Sequence, residues 1–210
     1  KHKSQVGTCY RCETDIDQRP SEQWFIKMQE LVKLAEAYID DGSINLYPKF
    51  YNKVYKKWTS TVEDWCISRQ IIWGHPIPIK YCDECDAVYS DRNMEGRDKC
   101  DICGSDKLRN DPDVLDTWFS SCLWPYGVFK SEEEYNRLGP IDVLVTGGDI
   151  LYFWVLRMAM VTLKLKGKIP FKDVYLHGII RTHNGEKMSK SSGNTIDPLE
   201  VIDKYGADAV

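Results

Sequence analysis

The chain has 210 residues, 42% hydrophobic and 12% aromatic, which supplies one sizeable core with room for a small appendage and excludes a disordered or fibrous protein. A formal net charge of −4 provides no global basic field, so any polyanionic ligand has to be met locally. The longest apolar run, Ile150 to Leu163, is interrupted by Arg157 and falls short of the roughly 20 residues a bilayer span needs, and Lys1 to Val6 lack an apolar signal-peptide centre; we expect no membrane segment and a cytoplasmic, reducing location in which eight cysteines favour metal over disulfides.

In chain order, Cys9-Tyr10-Arg11-Cys12 comes first, a metal-type spacing without a second pair to complete it; half a metal site and two free thiols are both open readings. Ser21 is placed to cap a helix reaching about Asp40, because Trp24, Phe25, Met28, Leu31, Val32 and Ala35 recur at helical spacing and Gly42 follows as a stop. A second helix is expected between Phe50 and Trp58. From Cys66 to Ile79, Gly74, Pro76 and Pro78 forbid a long element and mark a connector.

Residues 79–110 form a compositional island. Cys82-x2-Cys85 and Cys100-x2-Cys103, fourteen residues apart, present two knuckles whose thiolates can converge on one tetrahedral Zn²⁺. Four thiolates leave no open coordination position, so such a zinc folds a small lobe and performs no catalysis.

Beyond the island, Ile141 to Val145 reads as a buried strand, Gly147-Gly148 as a tight turn, and Asp149 as the cap of an apolar helix ending near Leu165. Val174-Tyr175-Leu176 is the next strand, closed by His177-Gly178, and Asp197-Pro198-Leu199-Glu200 is a capping box with proline at the first helical position. Strand, helix, strand, loop, helix is the order of a parallel α/β sheet with right-handed crossovers. In an open parallel sheet, ligands bind outside the carboxyl ends of the strands, where Thr146-Gly147-Gly148-Asp149 and His177-Gly178 fall. Without other support the first is a capped turn and the second a satisfied strand-end histidine.

Residues 185–194, GEKMSKSSGN, place Lys187 and Lys190 on a loop bounded by Gly185 and Gly193. Phosphoryl chemistry needs charge neutralisation and alignment, which ammonium groups on a closing loop supply. By charge alone this is a solvated basic turn; the order Lys-Met-Ser-Lys-Ser separates it from one.

That order resembles the KMSKS signature of class I aminoacyl-tRNA synthetases. DWCISRQ (64–70), WGHPIP (73–78), DVLDTWFSS (113–121), VTGGDILYFWVLRM (145–158) and GEKMSKSSGNTIDPLEVIDKYGADA (185–209) are similar to the valyl branch of that family, over nearly the whole chain. The resemblance implies the C-terminal half of a Rossmann-type parallel sheet, with an N-terminal helical return segment (1–78) after a missing editing insertion, a zinc-ribbon insertion (79–110) and the second half of the catalytic domain (111–210). It implies ATP with Mg²⁺, valine and tRNA(Val) as substrates and a structural Zn²⁺. Lys187 and Lys190 match the lysines that hold the triphosphate and stabilise departing pyrophosphate, with Met188 and Ser189 between them. Gly147 and Asp149 match the ribose-contacting pair, His177 and Gly178 the strand-end nucleotide contact, and Trp118, Ile150 and Trp154 the shapers of the amino-acid pocket. Cys9 and Cys12 match a pair whose zinc partners precede the editing insertion.

Two departures qualify the resemblance. None of His2, His75, His177 or His183 opens a His-x-Gly-His motif, and Gly148 stands where many relatives carry a bulkier residue. With no initial methionine and a stop shortly after a helical pattern, we expect an internal fragment, inactive without the first half of its catalytic domain. A naturally short, non-catalytic paralogue acting as a zinc-containing module that binds tRNA or a protein is the alternative, and isoleucyl specificity is a third reading.

Overall fold

The computed structural model describes residues 5–9, 12–17, 19–90, 96–189 and 192–210. Helix α1 (Gln29–Asp40) ends where expected but starts at Gln29, not after Ser21. Phe25–Ile26 instead forms strand β1, antiparallel to β3 (Trp65–Cys66), with Phe25 opposite Cys66 and Ile26 opposite Trp65. The Trp24 N–H donates to Ser68 Oγ and the Ile67 N–H to the Trp24 carbonyl, so tertiary pairing consumes the backbone groups an earlier helical turn would need. Met28, Val32, Ala35 and Ile39 keep the helical stripe and are buried.

After α1 the chain makes a three-residue strand, β2 (Asn45–Tyr47), then helix α2 (Tyr51–Thr59). Farther along are β9 (Ile141–Gly147) and β10 (Phe171–His177), and the sheet order is β2-β10-β9, all parallel. Val174 lies opposite both Leu46 and Leu144, and His177 opposite Gly147. Leu46, Leu144, Phe171, Val174 and Leu176 are buried in one core with α1 and with helix α6 (Arg157–Lys166), which contributes Met158, Ala159, Met160 and Leu163.

The expectation of a fully buried strand at 141–145 is corrected: Val143 is 49% and Val145 63% exposed, as is Tyr175 at 48%. Among the described residues, α1 and α6 share the core with only one side of the sheet, so the strands alternate in burial. On the uncovered side Tyr47 and Tyr175 stack with ring centroids 4.8 Å apart.

Gly147 leads into a 3₁₀ turn (Gly148–Ile150), then a π-helical stretch (Leu151–Leu156), and only then α6, which ends on Gly167 in the left-handed region (φ 65°). Asp149 is therefore not the helix cap expected from the sequence; it sits inside the 3₁₀ turn. The wider π turn sends three consecutive rings to three neighbours: Tyr152 to Trp58 (5.7 Å), Phe153 to Trp118 (5.8 Å) and Trp154 to Trp124 (6.2 Å).

The expected connector holds only the two-residue strands β3 and β4 (Ser68–Arg69), the latter pairing with β8 (Val114–Leu115). Between them a separate antiparallel sheet has β5 (Ile79–Cys82) at its centre, flanked by β6 (Val88–Ser90) and β7 (Leu108–Asn110). Buried Asp111 anchors this lobe: its Oδ2 accepts from Trp24 Nε1 (2.8 Å) and Tyr81 Oη (2.7 Å), and its Oδ1 from the Asp113 N–H (2.9 Å). Burial pushes its carboxyl up, but these donors outweigh that and hold it below the usual carboxylate range.

Helices α3 (Thr117–Cys122), α4 (Trp124–Gly127) and α5 (Glu132–Leu138) lead back to β9. Asp116, just before α3, joins three segments. Its Oδ2 accepts from Trp65 Nε1 (3.0 Å) and pairs with Arg157 Nη1 (3.5 Å), while Oδ1 meets Arg69 Nη2 (3.2 Å). The Arg157 guanidinium also lies 3.7 Å from the Trp65 ring centroid. Last, α7 (Pro198–Tyr205) is capped by Asp197, whose Oδ1 accepts from the Leu199 N–H, with Pro198 in the first turn.

Candidate functional site

Three parallel strands end at one edge, and each delivers sequence-predicted residues or their neighbours there. After β9 comes Gly147–Asp149; after β10, His177–Gly178; beyond β2, Tyr51 at the start of α2. The Asp149 carboxylate folds back over the turn: a methyl group on Gly147 would lie 2.6 Å from Asp149 Oδ1, so only glycine admits this arrangement. His177 is exposed, with Nδ1 2.8 Å from the Gly178 carbonyl oxygen.

The lysine loop reaches the same place. Lys187 Nζ lies 3.6 Å from Asp149 Oδ2, with the two side chains 66% and 40% exposed. A bridge between Arg181 and Lys187 and a turn at Gly185 (φ 81°), where the Gly185 N–H donates to Thr182 O and Arg181 Nη1 to Gly185 O, set the loop's direction. Met188 and Ser189 are half-buried; Lys190 lies outside the described residues.

Sequence reasoning missed Asn194. Its Oδ1 accepts from the Ser189 N–H (2.9 Å) and its Nδ2 donates to the Lys187 carbonyl (3.2 Å), so one amide clamps both sides of the loop. The available signal was an asparagine directly after Gly193 in a loop, where a short amide bonds nearby backbone.

Trp118, Ile150 and Trp154 are all half-buried where α3 packs on the π turn. Trp118 stacks on Phe153, while Trp154 donates from Nε1 to the Ser121 carbonyl (3.1 Å), which fixes the indole against α3. A separate cleft lies away from these residues. It is about 520 Å³, between β5, β7 and the Glu22–Trp24 segment, and none of the predicted residues lines it.

The four cysteines of the lobe converge, with all Sγ atoms within 4.8 Å of one another, Cys82 and Cys103 3.6 Å apart and Cys85 and Cys100 3.5 Å apart. A tetrahedral Zn²⁺ with bonds of about 2.3 Å places its sulfurs about 3.8 Å apart, so this donor set fits that ion, and disulfides are absent among the described residues. Tyr89 Oη lies 3.1 Å from Cys100 Sγ and, with the Cys103 N–H, lowers that thiol to about 6, whereas Cys85 is pushed up to about 12 despite the Ala87 N–H and Cys103 is also raised, so the thiols do not all favour the thiolate before a metal binds.

Both knuckles share one backbone pattern. The Cys82 N–H donates to Ala87 O and the Asp86 N–H to Cys82 O; the Cys100 N–H donates to Ser105 O and the Gly104 N–H to Cys100 O, with Asp86 and Gly104 left-handed (φ 54° and 75°). Cys9 repeats it: its N–H donates to Thr14 O, and the Glu13 N–H, at φ 59°, donates to Cys9 O. Cys12 Sγ bonds Thr14 Oγ1 (3.3 Å), which lowers its thiol to about 7. The first pair thus has a metal-knuckle backbone, although among the described residues no further ligand joins it.

Comparison with known proteins places this geometry in a family. The model of the tRNA synthetases class I (I, L, M and V) matches residues 13–210. The valine–tRNA ligases of Petrotoga mobilis and Thermotoga maritima are 49% and 48% identical over 98% and 97% of this chain, which spans 24% of the length of each. Among solved structures, the Agrobacterium radiobacter LeuRS–tRNA–LeuAMS ternary complex superposes with TM-score 0.58 at 27% identity over 70% of this chain and 23% of that one. The Mycobacterium tuberculosis methionyl-tRNA synthetase bound by methionyl-adenylate gives 0.62 at 19% identity over 97% of this chain and 35% of that one, a likeness of fold. With its parallel strands ending at a glycine–aspartate turn, a histidine–glycine pair and a lysine loop, the chain belongs to the class I tRNA synthetases.

Proposed function

We propose that the chain forms the second half of the Rossmann-type catalytic domain of a cytoplasmic valine–tRNA ligase, which activates valine with Mg²⁺-bound ATP and transfers it to tRNA(Val). In this reading residues 1–78 are the return segment after an editing insertion, 79–110 a zinc-ribbon lobe, and 111–210 the remainder of the catalytic domain. The observation that carries it is the convergence of Asp149, His177 and Lys187 at the carboxyl edge of β9 and β10, in a chain nearly half identical to valine–tRNA ligases.

In activation a valine carboxylate oxygen attacks the α-phosphorus and the bond to pyrophosphate breaks. The protein's part is positioning and charge stabilisation. Lys187, carried by its loop, and Lys190 neutralise the leaving pyrophosphate. Met188 and Ser189 hold the loop backbone over the phosphates, Gly147 and Asp149 take the ribose hydroxyls, and His177 with Gly178 borders the nucleotide. Trp118, Ile150 and Trp154 shape a small amino-acid pocket. Cys82, Cys85, Cys100 and Cys103 would hold a structural zinc that folds the lobe, and Cys9 and Cys12 would supply half of a second site.

The test is valine-dependent exchange of pyrophosphate into ATP. We expect exchange by the complete polypeptide that carries this chain and none by residues 1–210 alone. Robust exchange by the 210-residue chain would overturn the need for a first half, and exchange driven by isoleucine in preference to valine would overturn the specificity.

A further inference from the structure

The start of α2 touches the nucleotide turn in a way the sequence does not signal. A methyl group built on Gly148 would collide with the Tyr51 hydroxyl and lie 2.6 Å from Tyr51 Cζ and 2.9 Å from Cε1. The phenol therefore fills the space a side chain at position 148 would take. Its ring is held there by stacking on Phe50, with centroids 4.3 Å apart, and is half-buried. Tyr51 follows β2, which pairs in parallel with β10, so it stands at the strand-end edge that bears Gly147–Asp149 and His177.

We propose that Tyr51 is a positioning residue of the nucleotide site: its phenol braces the Gly147–Asp149 turn and so keeps the Asp149 carboxylate aimed at the ligand. Gly148 and Tyr51 form a matched pair. The physical reason is the turn's construction. Gly147 and Gly148 carry no side chains of their own to pack the turn, and the Asp149 carboxylate is exposed, so an outside group has to fix its direction. The Lys187 contact does not suffice, because an exposed pair at 3.6 Å is weak and that lysine sits on a loop. A rigid aromatic ring on a helix loses little entropy in the same task.

The inference rests on the function proposed above and deepens it. The experiment measures valine-dependent pyrophosphate exchange by the complete polypeptide carrying Tyr51→Ala, Tyr51→Phe, Gly148→Ala and the double change Gly148→Ala with Tyr51→Ala. Tyr51→Ala should raise the KM for ATP about tenfold with the KM for valine unchanged, and Tyr51→Phe, which keeps the ring, should recover most of it. Gly148→Ala should imitate Tyr51→Ala by expelling the ring, and the double variant should be no worse than either single one. A variant that folds poorly loses active enzyme, which lowers the apparent kcat and leaves the ratio of the two KM values unmoved. An unmoved ratio for Tyr51→Ala, or strictly additive losses in the double variant, overturns the role of Tyr51 while exchange by the parent protein sustains the function. No exchange by the parent protein overturns both.

Discussion

Replacing Lys187 by alanine separates catalysis from stability. Among the described residues its ammonium pairs with Asp149, at 3.6 Å, with both side chains substantially exposed. Exposed pairs of this kind contribute about 0–1 kcal/mol, so the substitution should shift the unfolding free energy by less than about 1 kcal/mol. On the function proposed above, the same ammonium meets charge developing on pyrophosphate in the transition state, where one lost stabilising group costs about 2.7–4 kcal/mol, or roughly 10²–10³ in kcat. Rapid-quench measurement of valyl-adenylate formation, with urea unfolding of the same preparation, reads both quantities. We expect slower adenylate formation, an unchanged valine dissociation constant and an almost unchanged urea midpoint. Adenylate formation at the parent rate would remove Lys187 from the mechanism, and a matching collapse in the urea midpoint would show the weak-pair reasoning to be wrong.

Three further substitutions test the scaffold. Asp116→Ala strands the Arg157 guanidinium, whose side chain is only 6% exposed, and orphans the Trp65 indole N–H; the cost should be about 3–5 kcal/mol by chemical denaturation, and a loss below 1 kcal/mol would mean the pair is not structural. Cys100→Ser should abolish stoichiometric zinc measured by elemental analysis and remove amide-exchange protection from β5–β7 while the parallel sheet keeps its own; zinc retained at one equivalent would refute the four-thiolate site. Asp111→Asn tests a pH dependence. The native carboxyl is held below its usual range, so its contribution is present above the ordinary carboxylate pKa of about 4 and is lost as pH falls through the lower native value. The stability gap between parent and variant should be constant near neutrality and close in acid, and a gap that widens in acid would reverse the assignment.

The amino-acid sequence determined the chemistry of the strand ends and the ligand spacing. Cysteine pairs with two residues between them are legible because spacing dictates what they can hold, whereas the Gly-Gly-Asp turn and the lysine loop between glycines are local patterns that gained meaning only from their resemblance to family motifs. It also determined α2, the end of α1 at Asp40 just before Gly42, and the cap at Asp197, all set by nearest neighbours in the chain. Tertiary structure decided whatever depended on a distant partner. Strand β1 displaced the first turn of α1 because Trp65–Cys66 offered pairing, and β2 exists as three residues because β10 lies beside it. Asp149 left the helix cap and turned to Lys187, thirty-eight positions away, while the phenol of Tyr51 came to rest against Gly148. Periodicity reports which face of an element is apolar; it carries no information on which other segment will compete for its backbone or fill the space beside a glycine.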